Sequence, residues 1–223
     1  MTFEIPRLYA IIDAARVDTI SPVEMAEILL DAGVKLIQYR NKNGSSRRLF
    51  ETSRQIADRV RAAGGIFIVN DRADVALLAG ADGVHVGQDD LPVELARRVL
   101  EAPGVLAKPR PGIIGCSTHN LEQVSEADRT SVDYIAFGPV FATQSKQKPD
   151  PLVGLDGLRA ARKATRKPLV AIGGITLASA TAVMEAGADS VAVIGDLARD
   201  TANRAREFLR ILQTVEKVPK PSC

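Results

Sequence analysis

The run Ile66-Phe67-Ile68-Val69-Asn70-Asp71 constrains the fold more than any other stretch of the chain. Four consecutive apolar residues, three of them β-branched, suit a strand buried on both faces, because such a strand has no solvent side to supply with polar groups. The apolar run then meets an amide and a carboxylate without a spacer. Asn70 and Asp71 therefore stand at the carboxyl end of a buried strand, which in parallel α/β folds faces the ligand crevice.

The same order of apolar strand, polar end and helix recurs along the chain. Leu8 to Ile12 runs into Asp13, and Ser21-Pro22-Val23-Glu24 then combines an N-cap serine, proline at N1 and a capping-box glutamate. Ala32-Gly33 ends that helix, where glycine permits a left-handed C-cap, and Leu36 to Arg40 is a second strand. Leu49, Ile56 and Val60 recur at helical spacing until Gly64-Gly65 stops them. Gly83 to Gly87 is a fourth strand, followed by a helix begun by Pro92. Ile113 to Ser117, Tyr134 to Pro139, Leu169 to Gly174 and Ser190 to Gly195 supply four more. The last helix places Ala205, Phe208, Leu209 and Leu212 on one face.

Eight strand-helix units in 223 residues fit a closed (β/α)8 TIM barrel better than an open sheet, since closure removes both edge strands. One barrel domain over residues 1–217 is expected, with a flexible tail at 218–223. The only long connection, Phe141 to Gly154, exceeds what packing requires and reads as a lid.

A net charge of +2 provides no field that would select nucleic acid or an anionic membrane, so any basic site must be local. Aromatic residues make up 4% of the chain and tryptophan is absent, which argues against base-stacking platforms. The apolar run near the amino terminus is too short for a signal or a membrane span, and a cytoplasmic protein is expected. Cys116 lies in an apolar strand and Cys223 is the last residue, so neither a disulfide nor a metal pair is expected of them.

In a barrel the polar residues that follow each strand share one rim. That set contains Gln38, Arg40, Lys42, Asn70, Asp71, Asp90, Ser117, Thr143, Ser145, Lys146 and Gly173-Gly174. Cations, two carboxylates, hydroxyls and a glycine pair suit an anion site containing a metal. Asp71 and Asp90, on neighbouring strands, match the preference of magnesium for one or two carboxylates plus phosphate oxygens, although either alone would equally serve as a helix cap. Arg40 offers phosphate a planar fork, and Lys42 and Lys146 offer point charges. The glycine pair allows backbone N–H groups to approach a phosphate, and would equally make a tight turn.

Ser117 lacks triad partners and reads as a hydrogen-bonding group. His85 reads as a satisfied core histidine, and His119 as either a helix-start residue or a ligand contact. No strand carries an internal lysine, which disfavours a Schiff-base mechanism. The chemistry suggested is metal-assisted departure of a phosphate or pyrophosphate group.

These motifs resemble a known family. Gln38-x-Arg40-x-Lys42, Val69-Asn70-Asp71, Gly83-Val84-His85-x-Gly87-Gln88-x-Asp90, Gly115-Cys116-Ser117-Thr118-His119, Gly138-Pro139-Val140-Phe141-Ala142-Thr143-x-Ser145-Lys146 and Ile172-Gly173-Gly174-Ile175 are together similar to thiamine phosphate synthase. The resemblance implies that 4-amino-5-hydroxymethyl-2-methylpyrimidine diphosphate is joined to 4-methyl-5-(2-phosphoethyl)thiazole, giving thiamine phosphate and pyrophosphate. The diphosphate would leave first, and the thiazole nitrogen would capture the pyrimidine methyl cation.

Carried over by motif, Gln38, Tyr39, Arg40, Asn41, Lys42, Asn70, Ser117 and Lys146 would hold the pyrimidine diphosphate, and Asp71 and Asp90 would hold Mg2+. Arg40, Lys42, Lys146 and Ser117 would assist the leaving group. Thr143, Gln144, Ser145, Gly174, Ile194 and Gly195 would hold the thiazole phosphate. Ser145 stands where the family usually has threonine, and Ile194-Gly195-Asp196 lacks its usual serine. Asp196 would repel a phosphate if it faced inward, so it is expected to turn outward or cap the next helix.

A thiazole tautomerase of the same superfamily, with His119 as proton shuttle, and a phosphate-sensing barrel without turnover are the alternatives. Two small-molecule substrates are expected, with no nucleic acid and no membrane. Assembly into a homo-oligomer is left open.

Overall fold

The structure is a computed structural model that describes residues 4–17, 19–102, 112–143 and 150–220. Its strands are β1 (Leu8–Asp13), β2 (Leu36–Arg40), β3 (Ile66–Asn70), β4 (Gly83–Val86), β5 (Ile113–Thr118), β6 (Tyr134–Phe137), β7 (Leu169–Ile172) and β8 (Ser190–Val193). They form a closed barrel in sequence order, with β8 returning to pair with β1, and every pairing is parallel. The helices are α1 (Pro22–Asp31), α2 (Ser46–Ala62), α3 (Ala73–Ala79), α4 (Val93–Leu100), α5 (Leu121–Asp128), α6 (Gly154–Ala164), α7 (Leu177–Glu185), α8 (Gly195–Ala198) and α9 (Thr201–Thr214). None of them is long and apolar enough to cross a membrane.

Alternation along the strands divides the apolar residues into two layers. Outward side chains such as Ile12, Ile37, Val69, Val84 and Ile114 pack with the helices in the larger layer. Tyr9, Ile11, Leu36, Ile68, Tyr134, Ala136, Val170 and Ala192 fill the barrel itself. In α2, Leu49, Ile56, Ala57 and Val60 are buried on one face, and the helix stops where Gly64 takes a φ of 64°. Truncating Ile56 would cost about 2–5 kcal/mol, because the fixed barrel wall beneath it limits collapse.

Several expected boundaries shift for local reasons. Four strands stop short of the glycines and prolines assigned to them. The Gly87 N–H leaves the ladder to donate to Asp90 Oδ2 at 2.8 Å, Pro139 has no N–H to give, and Gly173 and Gly174 take φ values of 101° and 63°. Gly195 opens α8, a short helix that the strand pattern did not announce. Ser21 caps α1 as expected, accepting from Glu24 N–H at 3.1 Å, while Pro92 sits at the N-cap of α4 rather than inside it.

The amino-terminal rim is built for stability. Asp82, Asp133 and Asp189 each precede an even-numbered strand, and each accepts from the first or second amide of the strand before it: Phe67, Ile114 and Leu169, all at 2.8 Å. Arg97 and Arg162 hold two of these carboxylates, at 2.7 and 2.8 Å. With that rim occupied by structural ion pairs, the opposite rim is left for chemistry.

Candidate active site

Inward parity selects the residues that reach this rim. Tyr9 and Ile11 face the barrel axis, so Asp13 does too. On β2, Gln38 and Arg40 follow Leu36 in the same way, and on β3 Asn70 follows Ile68. Register then sets Asp13 beside Arg40 and Asn70 beside His85. The polar ends of β1 to β4 therefore share one mouth.

Arg40 Nη1 lies 2.6 Å from Asp13 Oδ2, and Asp13 Oδ1 accepts from the Ala15 N–H at 3.1 Å. The buried Asp13 thus fixes one edge of the guanidinium. Lys42 Nζ is 3.1 Å from Asp71 Oδ2. A cavity of about 340 Å³ opens on this side, lined by Asp13, Arg40, Lys42 and Arg48 among others.

Asp71 is the only non-glycine residue with positive φ among the described residues, at 63°, and its N–H donates to His85 O at 2.7 Å. This left-handed turn sends the carboxylate toward Asp90 instead of continuing the strand. Burial raises the Asp71 pKa above the ordinary carboxylate value, the neighbouring Asp90 carboxyl raises it further, and Lys42 opposes both. Two carboxylates sharing a half-buried pocket with one lysine are short of positive charge. No group of three or more His, Cys, Asp or Glu residues gathers for a metal among the described residues. A hard divalent ion that takes two carboxylates and completes its shell with water and phosphate oxygens fits that donor set.

Beneath the mouth, one chain of hydrogen bonds crosses the barrel. Gln38 Nε2 donates to Tyr9 Oη at 2.7 Å, and Tyr9 Oη meets Tyr134 Oη at 2.8 Å. Tyr134 Oη meets His85 Nδ1 at 3.0 Å, and His85 Nε2 meets Ser117 Oγ at 2.8 Å. Gly115 makes room for this chain: a Cβ there would lie 2.0 Å from the Tyr134 ring. His85 is indeed a satisfied core histidine, but one of its partners is a predicted site residue.

On the far side, the exits of β6 and β7 are tied together. Phe141 N–H donates to Gly173 O at 3.0 Å, and a Cβ on Gly174 would lie 2.4 Å from Ala142 O. The glycine pair is required by this packing. His119 Nδ1 lies 2.6 Å from Gly138 O; a carbonyl only accepts, so this nitrogen carries the proton. Asp196 departs from expectation: its Oδ2 accepts from Leu177 N–H at 2.9 Å, so it caps α7, the preceding helix, where backbone N–H groups favour a carboxylate. Ile194 flanks the interior layer and Gly195 is exposed at the start of α8.

Tyr39 and Asn41 also line the cavity beside Arg40 and Lys42, each with a structural role of its own. Tyr39 has outward parity and is buried in the helix-facing layer, and Asn41 is engaged within its own turn, donating to Tyr39 Oη at 3.1 Å and accepting from Gly44 N–H at 2.9 Å. Gln144, Ser145 and Lys146, and with them residues 144–149 of the expected Phe141 to Gly154 lid, lie outside the described residues, as does Cys223. Asp13, Tyr9 and Tyr134 were missed. Their signal was parity, since Tyr9 and Asp13 occupy alternate positions of a strand whose next neighbour carries Gln38 and Arg40 on the same side.

Comparison with known proteins agrees with this geometry. Residues 8–197 match the family model described as thiamine monophosphate synthase. A thiamine-phosphate synthase of Koribacter versatilis is 50% identical over 218 residues, covering 95% of this chain and 98% of the relative. One from Chloroflexus aurantiacus is 43% identical over 210 residues, covering 94% and 93%. The solved thiamine phosphate pyrophosphorylase of Pyrococcus furiosus superposes with a TM-score of 0.81 at 34% identity, covering 93% of this chain and 95% of that one. With the match running from the first strand to α8 and the relatives covered almost end to end, the chain belongs to the thiamine monophosphate synthase family.

Proposed function

We propose that the chain works as a thiamine-phosphate synthase, joining 4-amino-5-hydroxymethyl-2-methylpyrimidine diphosphate to 4-methyl-5-(2-phosphoethyl)thiazole by a dissociative route. The bond between the pyrimidine methylene carbon and the diphosphate oxygen breaks, and its electron pair leaves with the diphosphate. The thiazole nitrogen then gives its lone pair to the methylene carbon, so thiamine phosphate and pyrophosphate are released and no general base is required.

The observation that carries this reading is the convergence of Arg40, Lys42, Asp71 and Asp90 on one side of the mouth. Arg40, held by Asp13, presents the rest of its fork to a phosphate, and Lys42 adds a mobile charge. Both stabilise negative charge that grows on the leaving group, which is where binding energy lowers a barrier. Asp71 and Asp90 would hold Mg2+, which when bound supplies further positive charge for the diphosphate oxygens. Lys146 joins this group by motif, as Thr143, Gln144, Ser145, Gly174, Ile194 and Gly195 join the thiazole phosphate site.

Asp196 is compatible with an anion nearby because its charge is directed to the α7 amide. With Nδ1–H held by Gly138 O, only Nε2 of His119 is able to accept a proton, so the products distinguish a synthase from a tautomerase. Incubation of the protein with both substrates and Mg2+ should release pyrophosphate in step with thiamine phosphate. A tautomerase or a phosphate sensor would release none.

A further inference from the structure

The hydrogen-bond chain through the barrel has a direction, set at one end by the Gln38 amide, whose Nε2 faces Tyr9 Oη. The Gln38 Nε2 amide has hydrogens to give and no lone pair to offer, so it donates to Tyr9 Oη. Tyr9 has one hydroxyl hydrogen and passes it to Tyr134 Oη. Tyr134 passes its own to His85 Nδ1. A neutral imidazole that accepts at one nitrogen carries its hydrogen on the other, so His85 Nε2–H donates to Ser117 Oγ. The Ser117 O–H is then left to point away from the chain and into the mouth.

We infer that Tyr9, Tyr134 and His85 are positioning residues that lock this polarity, presenting Gln38 Oε1 as an acceptor on one wall of the site and Ser117 O–H as a donor on the other. Three observations support it. All four bonds lie between 2.7 and 3.0 Å. Both tyrosines are fully buried, so water does not compete for their hydroxyls. The rings also fix one another: Tyr9 meets Tyr134 edge-on at 79°, and His85 stacks on Tyr134 at 22°. In an interior otherwise filled by aliphatic side chains, two phenols in hydrogen-bond contact need a partner at each end, and here each end is a residue of the mouth.

An aminopyrimidine offers an amine hydrogen on its edge and ring nitrogens that accept. Its diphosphate oxygen accepts more strongly as the carbon–oxygen bond lengthens. A Ser117 O–H held as a donor serves the leaving group; a Ser117 Oγ held as an acceptor would oppose it. The inference rests on the proposed function, and its test separates the two.

The histidine tautomer is read directly by 15N NMR of the whole protein labelled at histidine, with His85 assigned by loss of its signals in His85→Asn. The Nε2–H form is expected. An Nδ1–H form would overturn the inference, because it requires every bond in the chain to run the other way.

Tyr134→Phe and Tyr9→Phe keep the ring packing and remove one link each. Both should mix the two tautomers of His85 and lower kcat roughly tenfold, with KM for the thiazole phosphate changed by less than about twofold. Wild-type kcat in both variants with the tautomer undisturbed would reduce the chain to packing and overturn the inference. If the wild-type protein released no pyrophosphate at all, the proposed function would fail while the tautomer still reported the polarity.

Discussion

Asp71 joins a strained backbone to a strained charge. Its φ of 63° lies where only glycine, asparagine and aspartate go at low cost, and its carboxylate is partly desolvated beside Asp90. The folded state therefore holds a proton on Asp71 to higher pH than the unfolded chain does. Below the unfolded value the group costs nothing; as pH rises through the raised folded value, ionised Asp71 becomes a destabilising charge. Asp71→Asn keeps the left-handed turn and removes that charge. It should raise the thermal midpoint at pH 7 relative to the parent, with the gain vanishing as pH falls below the ordinary carboxylate range. Turnover should fall strongly, and Mg2+ should no longer raise the midpoint. A lower midpoint at pH 7 would contradict the electrostatic account, and an unchanged response to Mg2+ would contradict the metal assignment. Asp13 acts differently, through Arg40. Asp13→Asn should weaken binding of the pyrimidine diphosphate about tenfold, since losing a charge-assisted bond costs about 1.5–3 kcal/mol and releases the guanidinium. Equal KM values for the two forms would remove Asp13 from the site.

At the scale of elements, the aspartates that precede β4, β6 and β8 explain how short strands stay in register. Asp133 accepts from Ile114 N–H and from Arg97, so Asp133→Ala strands a backbone donor and a guanidinium and should cost about 2–3 kcal/mol in urea unfolding, leaving kcat of the folded fraction intact. A loss of kcat with stability preserved would mean that the two rims are not separate. Apolar runs such as Ile66 to Val69 announced their strands because burial on both faces leaves little alternative. Strand ends were less legible. Gly87 leaves its ladder for a carboxylate three residues on, and Gly195 begins a helix, and both depend on tertiary partners. The cap role of Asp196 was hidden for the same reason, because α7 approaches α8 only in the folded barrel.

For the whole molecule, closure of eight parallel strands turns a one-dimensional rule, polar residues after buried strands, into a three-dimensional site. That step made Arg40, Lys42, Asp71, Asp90 and Ser117 legible before any coordinates. The Tyr9–Tyr134 link was not, since it joins strands 125 residues apart whose tyrosines look like ordinary core. Tyr39 shows both rules at once: adjacency to Gln38 and Arg40 sets it beside the mouth, where it lines the cavity, and strand parity buries its ring in the helix-facing layer.

In the proposed function one diphosphate is held jointly by the cations of β2 and its following loop and by a metal on Asp71 and Asp90. Calorimetric titration of pyrophosphate, with and without Mg2+, into the parent protein, Arg40→Ala and Asp90→Asn tests it most directly. Binding should require Mg2+ in the parent and weaken about tenfold or more in each variant. Equal affinity with and without Mg2+, or a parent-like affinity in both variants, would contradict a shared site.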